Sequence, residues 1–293
     1  MATSTDSTAD NTNGSPVDVK TKFAFGRNWR QFLKTLDEKR IASAQDSVKT
    51  LLGIDDFSDK RFLDAGCGSG LFSLAAYRLG AKVTSFDVDA QSVACAEVLK
   101  TQYAGSDQRW EITTGSLLQQ EFVTGLGDFD VVYCWGVVHH TGDMWKVIEY
   151  LTSIVSPSGH LVLAIYNDEL HVSRAWRGIK KIYSMLPSFL RPIYVFLIGT
   201  MLFLSRAWST AIACLIRIIT LRNPLTPILN WAGECRDRGM HVWYDLVDWI
   251  GGYPFEVAKP EEIFRYMRDR GFTLCELKTS GGHGCNEFVF RRD

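Results

Sequence analysis

The chain has 293 residues, of which 46% are hydrophobic and 22% are charged, and its formal net charge is −1. This length holds one large domain or two small ones, and the balance is that of an ordinary globular protein. A charge so close to zero gives no general attraction to nucleic acid, so we expect no nucleic-acid partner. The seven cysteines are scattered and form no C-x-x-C pair, which argues against a disulfide framework or a zinc site and indicates a reducing, cytoplasmic compartment.

The first twenty residues are polar. They are rich in Ser, Thr, Asp and Asn and lack the apolar core of a signal peptide. They contain acidic residues and no arginine, which is untypical of a transit peptide. We therefore predict that residues 1–20 form a disordered tail.

Strand and helix patterns alternate along the next part of the chain. Apolar runs predict strands at 61–63, 82–86, 110–113, 129–135 and 160–166. Apolar residues at helical spacing predict helices at 41–52, 71–79, 92–103 and 144–155. Because strands that alternate with helices build parallel β-α-β units, we predict an α/β fold with a doubly wound, Rossmann-like sheet.

The pattern changes near the C-terminus. A helix is predicted from Pro260 to about 270, with Gly271 at its end, and strands follow at 274–277 and 286–290. The gap between these strands is too short for a crossover helix, so the pair must be antiparallel. We predict a core at 21–167, a helical insertion at 168–258, and a helix with a β-hairpin at 259–293 that completes the core.

A glycine-rich loop follows the first predicted strand. Three glycines at alternate positions let the backbone turn tightly and approach a ligand closely. The loop lies between a strand and a helix, where ligands of doubly wound sheets bind near a helix N-terminus. These residues are Gly66, Gly68 and Gly70.

Three neighbouring residues narrow the kind of ligand. A dinucleotide loop of the form G-x-G-x-x-G would need glycine at position 71, where the chain has Leu71. Asp64, just before the loop, suits a cationic amine better than a pyrophosphate. Asp87 ends the second strand and is placed to accept hydrogen bonds from ribose hydroxyls.

On these motifs, residues 61–166 and 260–290 resemble the class I S-adenosylmethionine-dependent methyltransferases. The matching segments are Phe-Leu-Asp-Ala-Gly-Cys-Gly-Ser-Gly at 62–70, Ser-Phe-Asp-Val-Asp at 85–89, Gly-Ser-Leu-Leu at 115–118 and Phe-Asp-Val-Val-Tyr-Cys-Trp-Gly-Val-Val-His-His at 129–140. The last segment resembles the methyltransferases of quinone biosynthesis. The resemblance implies an enzyme with a seven-stranded sheet, an antiparallel final hairpin and S-adenosylmethionine as cofactor.

The resemblance also implies roles for individual residues. The aspartate and the glycines of the loop would face the methionine moiety of the cofactor. Asp87 would bind the ribose and Val88 would flank the adenine. Ser116 stands where many relatives carry an Asp that reaches the adenine amine, and the backbone of Leu117 would serve instead. Trp135 would line the pocket.

Candidate substrate and catalytic groups lie at the ends of the fourth and fifth strands. His139 and His140 are candidates for a general base acting on a hydroxyl or amine, or they shape the loop or cap the next helix. Tyr166 and Asn167 are candidates for substrate contact, or they are parts of a loop.

The segment 239–254 mixes aromatic, acidic and glycine residues in an unusual density. It is predicted either as a wall of the substrate pocket or as a packed loop. On the first reading, His241 and Tyr253 contact the substrate and Asp245 takes part in catalysis. No set of His, Cys or acidic residues has the spacing of metal ligands, so we expect no metal.

The insertion has an unusual charge distribution. Residues 170–233 contain no Asp or Glu but eight Arg and Lys residues. Two apolar runs, 193–204 and 211–219, lie within it and are separated by Arg206. A membrane-spanning helix needs about 20 apolar residues, so a single span is not expected. Three readings remain: a basic and apolar hairpin in peripheral contact with an anionic membrane, a soluble lid, or a homo-oligomer interface.

These observations together predict methyl transfer to a small, lipophilic or membrane-associated acceptor. O- or C-methylation of a phenolic or quinone-like precursor is favoured, with the protein in the cytoplasm or at the membrane surface. The alternatives are methylation of a soluble small thiol, amine or carboxylate, and a non-catalytic cofactor-binding scaffold. An NAD-dependent oxidoreductase is less favoured because of Leu71.

Overall fold

A computed structural model describes residue 33 and residues 36–237, 242–280 and 284–293, so the tail predicted at 1–20 lies outside the described residues. Seven strands form one sheet: β1 (Arg61–Ala65), β2 (Lys82–Asp87), β3 (Trp110–Thr114), β4 (Phe129–Trp135), β5 (Val155–Tyr166), β6 (Phe272–Lys278) and β7 (Cys285–Arg292). Their order is β3-β2-β1-β4-β5-β7-β6. Strands β1 to β5 are parallel, and β7 pairs antiparallel with both β5 and β6. The predicted sheet and hairpin are confirmed.

Ten helices accompany the sheet in the described residues: α1 (Glu38–Leu52), α2 (Leu71–Arg78), α3 (Ala90–Tyr103), α4 (Gln120–Gly125), α5 (Met144–Ser153), α6 (His171–Met185), α7 (Arg191–Ile219), α8 (Thr226–Asp237), α9 (Val242–Gly251) and α10 (Pro260–Arg268). The first helix begins three residues before its predicted start because the side chain of Asp37 accepts a hydrogen bond from the backbone N–H of Arg40. It ends at Gly53, which has a φ of 65°.

The two faces of the sheet bury alternate residues of the same strand. On β1, Phe62 belongs to the core beneath α1, α2 and α3, whereas Leu63 belongs to the core beneath α5 and α10. Both residues are fully buried. A sheet covered by helices on both faces explains why its strands read as continuous apolar runs in the sequence.

Strand β5 is longer than predicted. It begins at Val155, five residues before the predicted strand 160–166. Pro157 and Gly159, which lie between the predicted helix 144–155 and the predicted strand 160–166, are inside the observed strand. The pairing of β4 with β5 shifts register over this stretch, and such an irregularity accommodates both residues.

The described residues of the predicted insertion 168–258 form helices α6 to α9 and a following segment, and we call these residues the cap. Its own small core contains the buried side chains of Trp176, Tyr183, Val195, Ile250 and Phe255. Tyr166, the last residue of β5, packs against this core. The cap is therefore attached to the sheet at the end of the strand from which it emerges.

Helix α7 differs from the expectation for the insertion. The two apolar runs are joined in one helix of 29 residues that continues through Arg206. Arginine and alanine are good helix formers, and no proline interrupts the helix after its first turn. The hairpin therefore turns after Ile219, where α8 begins to return, and not between the two runs. By length and composition alone, α7 is apolar enough to cross a membrane.

Candidate functional site

A cavity of about 350 Å³ opens at the carboxyl ends of β1, β2, β4 and β5. Doubly wound sheets bind their ligands in this position, outside the strand ends where the strand order reverses. Eleven of the residues selected from the sequence line it: Asp64, Gly66, Gly68, Asp87, Val88, Ser116, Leu117, Trp135, His140, Tyr166 and Tyr253.

The other selected residues lie elsewhere. Gly70 and His139 do not line this cavity. Asn167 lies outside it as well, and its Oδ1 accepts a hydrogen bond of 3.1 Å from Asn286 of β7. Asp245 lies in α9, and nothing is described of its side chain, while His241 lies outside the described residues.

The glycine loop is held in a conformation that other residues rarely adopt. Gly66, Gly68 and Gly70 have φ values of 84°, 54° and 81°. A Cβ atom at Gly66 would lie 2.6 Å from a methyl of Val137, and one at Gly70 would lie 2.8 Å from Cβ of Ala96. The third glycine thus serves packing of the loop against α3.

Asp87 supports the loop and faces the cavity at the same time. Its Oδ2 accepts a hydrogen bond of 3.0 Å from the backbone N–H of Gly68, and its Oδ1 accepts one of 2.8 Å from that of Asp89. Burial raises the pKa of this carboxyl above its usual value, against the opposing effect of these hydrogen bonds. The predicted ribose-binding residue is therefore fixed in orientation.

Asp64 is the second carboxyl of the cavity and is more deeply buried. Its Oδ2 accepts a hydrogen bond of 2.5 Å from the hydroxyl of Ser73. Burial raises its pKa to about 7, with a smaller increase from the neighbouring Asp87 and an opposing effect from Ser73. Binding of a cationic group next to Asp64 would favour its ionised form.

The two adjacent histidines lie in different environments. His140 lines the cavity, and its Nδ1 lies 2.8 Å from the carbonyl oxygen of Pro254. Since a carbonyl only accepts, we assign the proton of the neutral ring to Nδ1, and Nε2 carries the lone pair. Burial lowers the pKa of His140 to about 4 and that of His139 well below its usual value. His139 is buried, and its ring packs against that of Tyr166 with the centroids 3.9 Å apart and the planes tilted by 36°.

Aromatic residues of the cap pack around Tyr166, a residue of β5 that lines the cavity. The ring of Tyr166 lies 5.5 Å from His140 and from Trp249, and 5.2 Å from Phe255, measured between ring centroids. Tyr253 lines the cavity from the segment after α9. The predicted pocket wall at 239–254 is thus represented in the cavity by Tyr253.

Glu256 ties the cap to the histidine turn, and no sequence motif singled it out. Its carboxylate accepts hydrogen bonds of 3.0 Å from the N–H of Gly142 and 3.1 Å from that of Met144, the first residue of α5. Its own N–H donates to the carbonyl oxygen of His139 at 2.9 Å. An acidic residue can be recognised from the sequence as a helix cap only when it directly precedes the helix or lies in its first turn. Glu256 is far from α5 in the sequence, so its role could not be predicted.

Lys180 was grouped with the basic residues of the insertion, but its side chain is buried inside the cap. Its ammonium group donates to the carbonyl oxygen of Trp249 and lies 4.4 Å from the ring centroid of that residue and 5.0 Å from that of Phe255. Burial lowers its pKa to about 7. Lys180 is therefore not among the exposed basic residues of the insertion.

The residues of the cavity fit the expected cofactor. Asp64 offers a buried carboxyl for the ammonium group, and Asp87 offers a second carboxyl for the ribose hydroxyls. Val88 and Leu117 offer apolar side chains beside a planar base. Among the described residues, no group of three or more His, Cys, Asp and Glu residues is arranged to hold a metal ion.

Comparison with known proteins agrees with this geometry. The sequence profile of a family described as methyltransferase domain matches residues 36–191. Ubiquinone biosynthesis O-methyltransferase of Cupriavidus pinatubonensis is 29% identical over 136 residues, which cover 46% of this chain and 53% of that protein. The enzyme of the same name from Parvibaculum lavamentivorans is 31% identical over 144 residues, 47% of this chain and 54% of that protein. The chain thus spans about half the length of these curated relatives.

Solved structures show the same fold. Magnesium protoporphyrin IX methyltransferase from Synechocystis PCC 6803, with bound S-adenosylhomocysteine, superposes with a TM-score of 0.51 at 16% identity, over 86% of this chain and 83% of that one. PKMT2 from Rickettsia typhi, also in complex with S-adenosylhomocysteine, superposes with a TM-score of 0.53 at 12% identity, over 92% of this chain and 54% of that one. From the family match over more than half of its length, the chain belongs to the methyltransferase-domain family of S-adenosylmethionine-dependent enzymes.

Proposed function

We propose that the protein methylates a small lipophilic acceptor of the phenolic or quinone-precursor type, with O-methylation favoured. The observation that carries the proposal is a cavity lined by the carboxyls of Asp64 and Asp87, by several aromatic rings and by the neutral ring of His140. The aromatic lining includes Trp135, Tyr166 and Tyr253. Such a surface suits a planar apolar acceptor better than a charged metabolite.

We assign His140 as the base for the acceptor hydroxyl. The sulfonium of bound S-adenosylmethionine supplies an activated methyl group, so the protein has mainly to align the acceptor and take up its proton. His140 is neutral at physiological pH because its pKa is about 4. A base this weak does not remove a phenolic proton in advance, so proton transfer accompanies methyl transfer. The curated relatives named as ubiquinone O-methyltransferases support an acceptor of this kind.

The experiment is labelled-methyl transfer into two extracts of the same cells, one of lipids and one of soluble metabolites. The wild type should label the lipid extract, and Asp87→Ala should label neither. Label confined to the soluble extract would contradict a lipophilic acceptor and favour a soluble thiol, amine or carboxylate. Cofactor binding without label in either extract would favour a non-catalytic scaffold.

We further propose that α7 makes peripheral contact with an anionic membrane. Positions 203–206, more than one full helical turn, are all exposed. Large apolar side chains are exposed along the helix, including Leu204 at 60%, Trp208 at 71% and Ile219 at 72%. A helix in peripheral contact with a bilayer buries its apolar side chains at the boundary between headgroups and acyl chains, and the exposed side chains of α7 offer such a surface.

The charges around α7 support the same partner. Five of the basic residues of 170–233 are exposed: Arg174, Arg177, Lys181, Arg206 and Arg222. Exposed basic groups beside apolar side chains are the composition of helices that lie in the interface of anionic bilayers. Since Val195 of α7 and Tyr166 of the cavity wall pack on the same cap core, contact at α7 would bring the cavity close to dissolved acceptors.

Vesicle flotation tests this contact. The wild type should float with vesicles containing anionic lipid and less with neutral ones. The triple variant Leu204→Ser, Trp208→Ser and Ile219→Ser should lose flotation. A matched control is the double variant Val98→Ser and Leu277→Ser, which changes exposed apolar residues outside the cap. This variant should float like the wild type. A stable dimer in solution that the triple variant abolishes would contradict the proposal, and so would resistance of the bound wild type to alkaline carbonate.

A further inference from the structure

A line of four hydrogen-bonded side chains runs through the core beside the cavity. The indole N–H of Trp110 donates to the hydroxyl of Ser85 at 2.9 Å, and Ser85 donates to the hydroxyl of Ser73 at 2.8 Å. Ser73 then donates to Oδ2 of Asp64 at 2.5 Å. The four residues come from β3, β2, α2 and β1, and all are buried. The line therefore joins three strands and a helix at the carboxyl that lines the cavity.

The direction of these hydrogen bonds follows from chemistry. An indole N–H only donates, and each hydroxyl has one proton to pass on. Trp110 thus orients the lone pairs of Ser85, and the proton of Ser73 reaches Asp64. Hydrogen bonds in such a series polarise one another, and the last one stabilises the ionised carboxylate.

The hydrogen bond from Ser73 to Asp64 opposes other effects that raise the pKa of this carboxyl. Burial and the neighbouring Asp87 both raise the pKa of Asp64, to about 7. Ser73 counteracts them through hydrogen bonds from its side chain and its backbone. Near neutral pH the ionised and the protonated forms of Asp64 are therefore present in similar amounts. Loss of the Ser73 hydroxyl shifts this equilibrium toward the protonated acid.

We propose that Ser73, Ser85 and Trp110 are positioning residues that keep Asp64 ionised to receive the ammonium group of the methionine moiety. This inference rests on the proposed placement of that moiety at Asp64. A neutral carboxylic acid forms no ion pair with an ammonium group, so the line of hydrogen bonds sets the pH range over which the cofactor binds tightly.

Other titratable groups around Asp64 are Asp87 on β2, Cys67 in the glycine loop, and Tyr133 and Cys134 on β4. Burial raises the pKa values of Cys67, Tyr133 and Cys134, so these three stay protonated in the neutral range. Burial also raises the pKa of Asp87, which is the other carboxyl beside Asp64. Its contribution can be measured separately with a ligand that keeps the ribose and lacks the ammonium group.

The test is calorimetric titration of the full chain with S-adenosylhomocysteine and with 5′-methylthioadenosine, which lacks the amino-acid part, from about pH 6 to about pH 8.5. In Ser73→Ala, affinity for S-adenosylhomocysteine should fall about fivefold at neutral pH, the effect of raising a carboxyl pKa of about 7 by about one unit, and should recover toward the alkaline end. Affinity for 5′-methylthioadenosine should stay unchanged. Ser85→Ala should give a smaller shift in the same direction.

Thr152→Val is the matched control because it removes a buried hydroxyl that bonds within its own helix. It should leave both titrations unchanged. If Ser73→Ala weakens both ligands equally at every pH, the hydroxyl has only a structural role and the inference is wrong. An unchanged pH profile for S-adenosylhomocysteine would also overturn it. If Asp64→Asn binds S-adenosylhomocysteine like the wild type, the fault lies in the proposed placement of the methionine moiety.

Discussion

Adjacent positions in the sequence, His139 and His140, have separate tasks in the structure. His139 is buried under Tyr166 and outside the cavity, where it supports the turn between β4 and α5. His140 lines the cavity and is fixed by the carbonyl of Pro254. The sequence alone does not distinguish the two residues. The contact that fixes His140 comes from Pro254, which lies 114 positions further along the chain.

Replacement of His140 should affect the chemical step. His140→Gln should lower kcat on a hydroxyl acceptor by about a hundredfold, the usual contribution of a general base. Affinity for S-adenosylhomocysteine should change little, which calorimetry would check. His139→Gln is the control, and we expect it to lower stability more than kcat. Equal losses of kcat in the two variants would contradict the separate tasks.

The pH dependence of the same step has a definite sign. The pKa of His140 is lowered to about 4, so the ring becomes protonated only as the pH falls toward that value. The basic form is therefore fully present through the range in which an ordinary histidine titrates. We expect kcat to stay level from about pH 8 to about pH 6, measured at saturating cofactor and acceptor. A fall of kcat centred near 6.5 would contradict the lowered pKa of His140 and would indicate a base with the pKa of an ordinary histidine.

At this scale the sequence identified the residues that belong to local motifs. Asp64 and Asp87 follow from their positions at strand ends, and the cavity contains both. Ser73 and Glu256 could not be found in this way. Each acts through a partner on another element, 9 positions from Asp64 and 114 from Gly142.

At the scale of the elements, the N-terminus of α5 depends on a residue of the cap. Asp143 precedes this helix, but its side chain makes no capping hydrogen bond. The carboxylate of Glu256 takes that place from across the fold. A helix whose start is capped by a distant residue gains its full stability only when the cap is folded.

Glu256→Ala should therefore destabilise the protein by about 1 kcal/mol, the usual effect of losing a capping residue. It should also raise the KM for the acceptor, because the turn that carries His140 lies next to this contact. Urea unfolding and steady-state kinetics would measure the two effects. Glu261→Ala, at an exposed position of α10, is the control and should change neither. A variant with unaltered unfolding midpoint would contradict the capping role.

Elements with a regular apolar pattern were predictable, and those set by tertiary contacts were not. The strand β4 was predicted with its observed bounds. The early start of β5 and the continuous α7 were missed, since Pro157 and Arg206 interrupt the local pattern without ending the element. In α7 the local helix propensity outweighs the polarity of one side chain.

At the scale of the whole molecule, cofactor binding and folding should be linked. Most of the residues around the cavity belong to loops and strand ends that a ligand holds together. S-adenosylhomocysteine at about a hundred times its Kd should stabilise the chain by about 2.7 kcal/mol. Thermal unfolding would show this as a higher Tm, and NAD should give no shift. An equal shift in Asp87→Ala would contradict the assigned cavity.

The overall architecture was largely predictable because periodicity and loop length determine the class of sheet. The packing of the cap was not, since its core joins Trp176, Val195 and Phe255 from three separate segments. The composition of residues 170–233 shows that this segment is apolar and contains no acidic residue. It did not show that Lys180 is buried or that part of α7 packs inward.

The place of β7 beside β5 has a consequence for biosynthesis. Seven residue pairs, from His160 with Arg291 to Tyr166 with Cys285, join these strands, and the whole insertion lies between them in the chain. A ribosome therefore releases the apolar helix α7 while the edge of β5 is still open. During this interval the nascent chain exposes both the apolar side chains of α7 and the unpaired backbone edge of β5, and both favour aggregation. Early binding of a lipid surface or a chaperone would protect them until β7 pairs with β5.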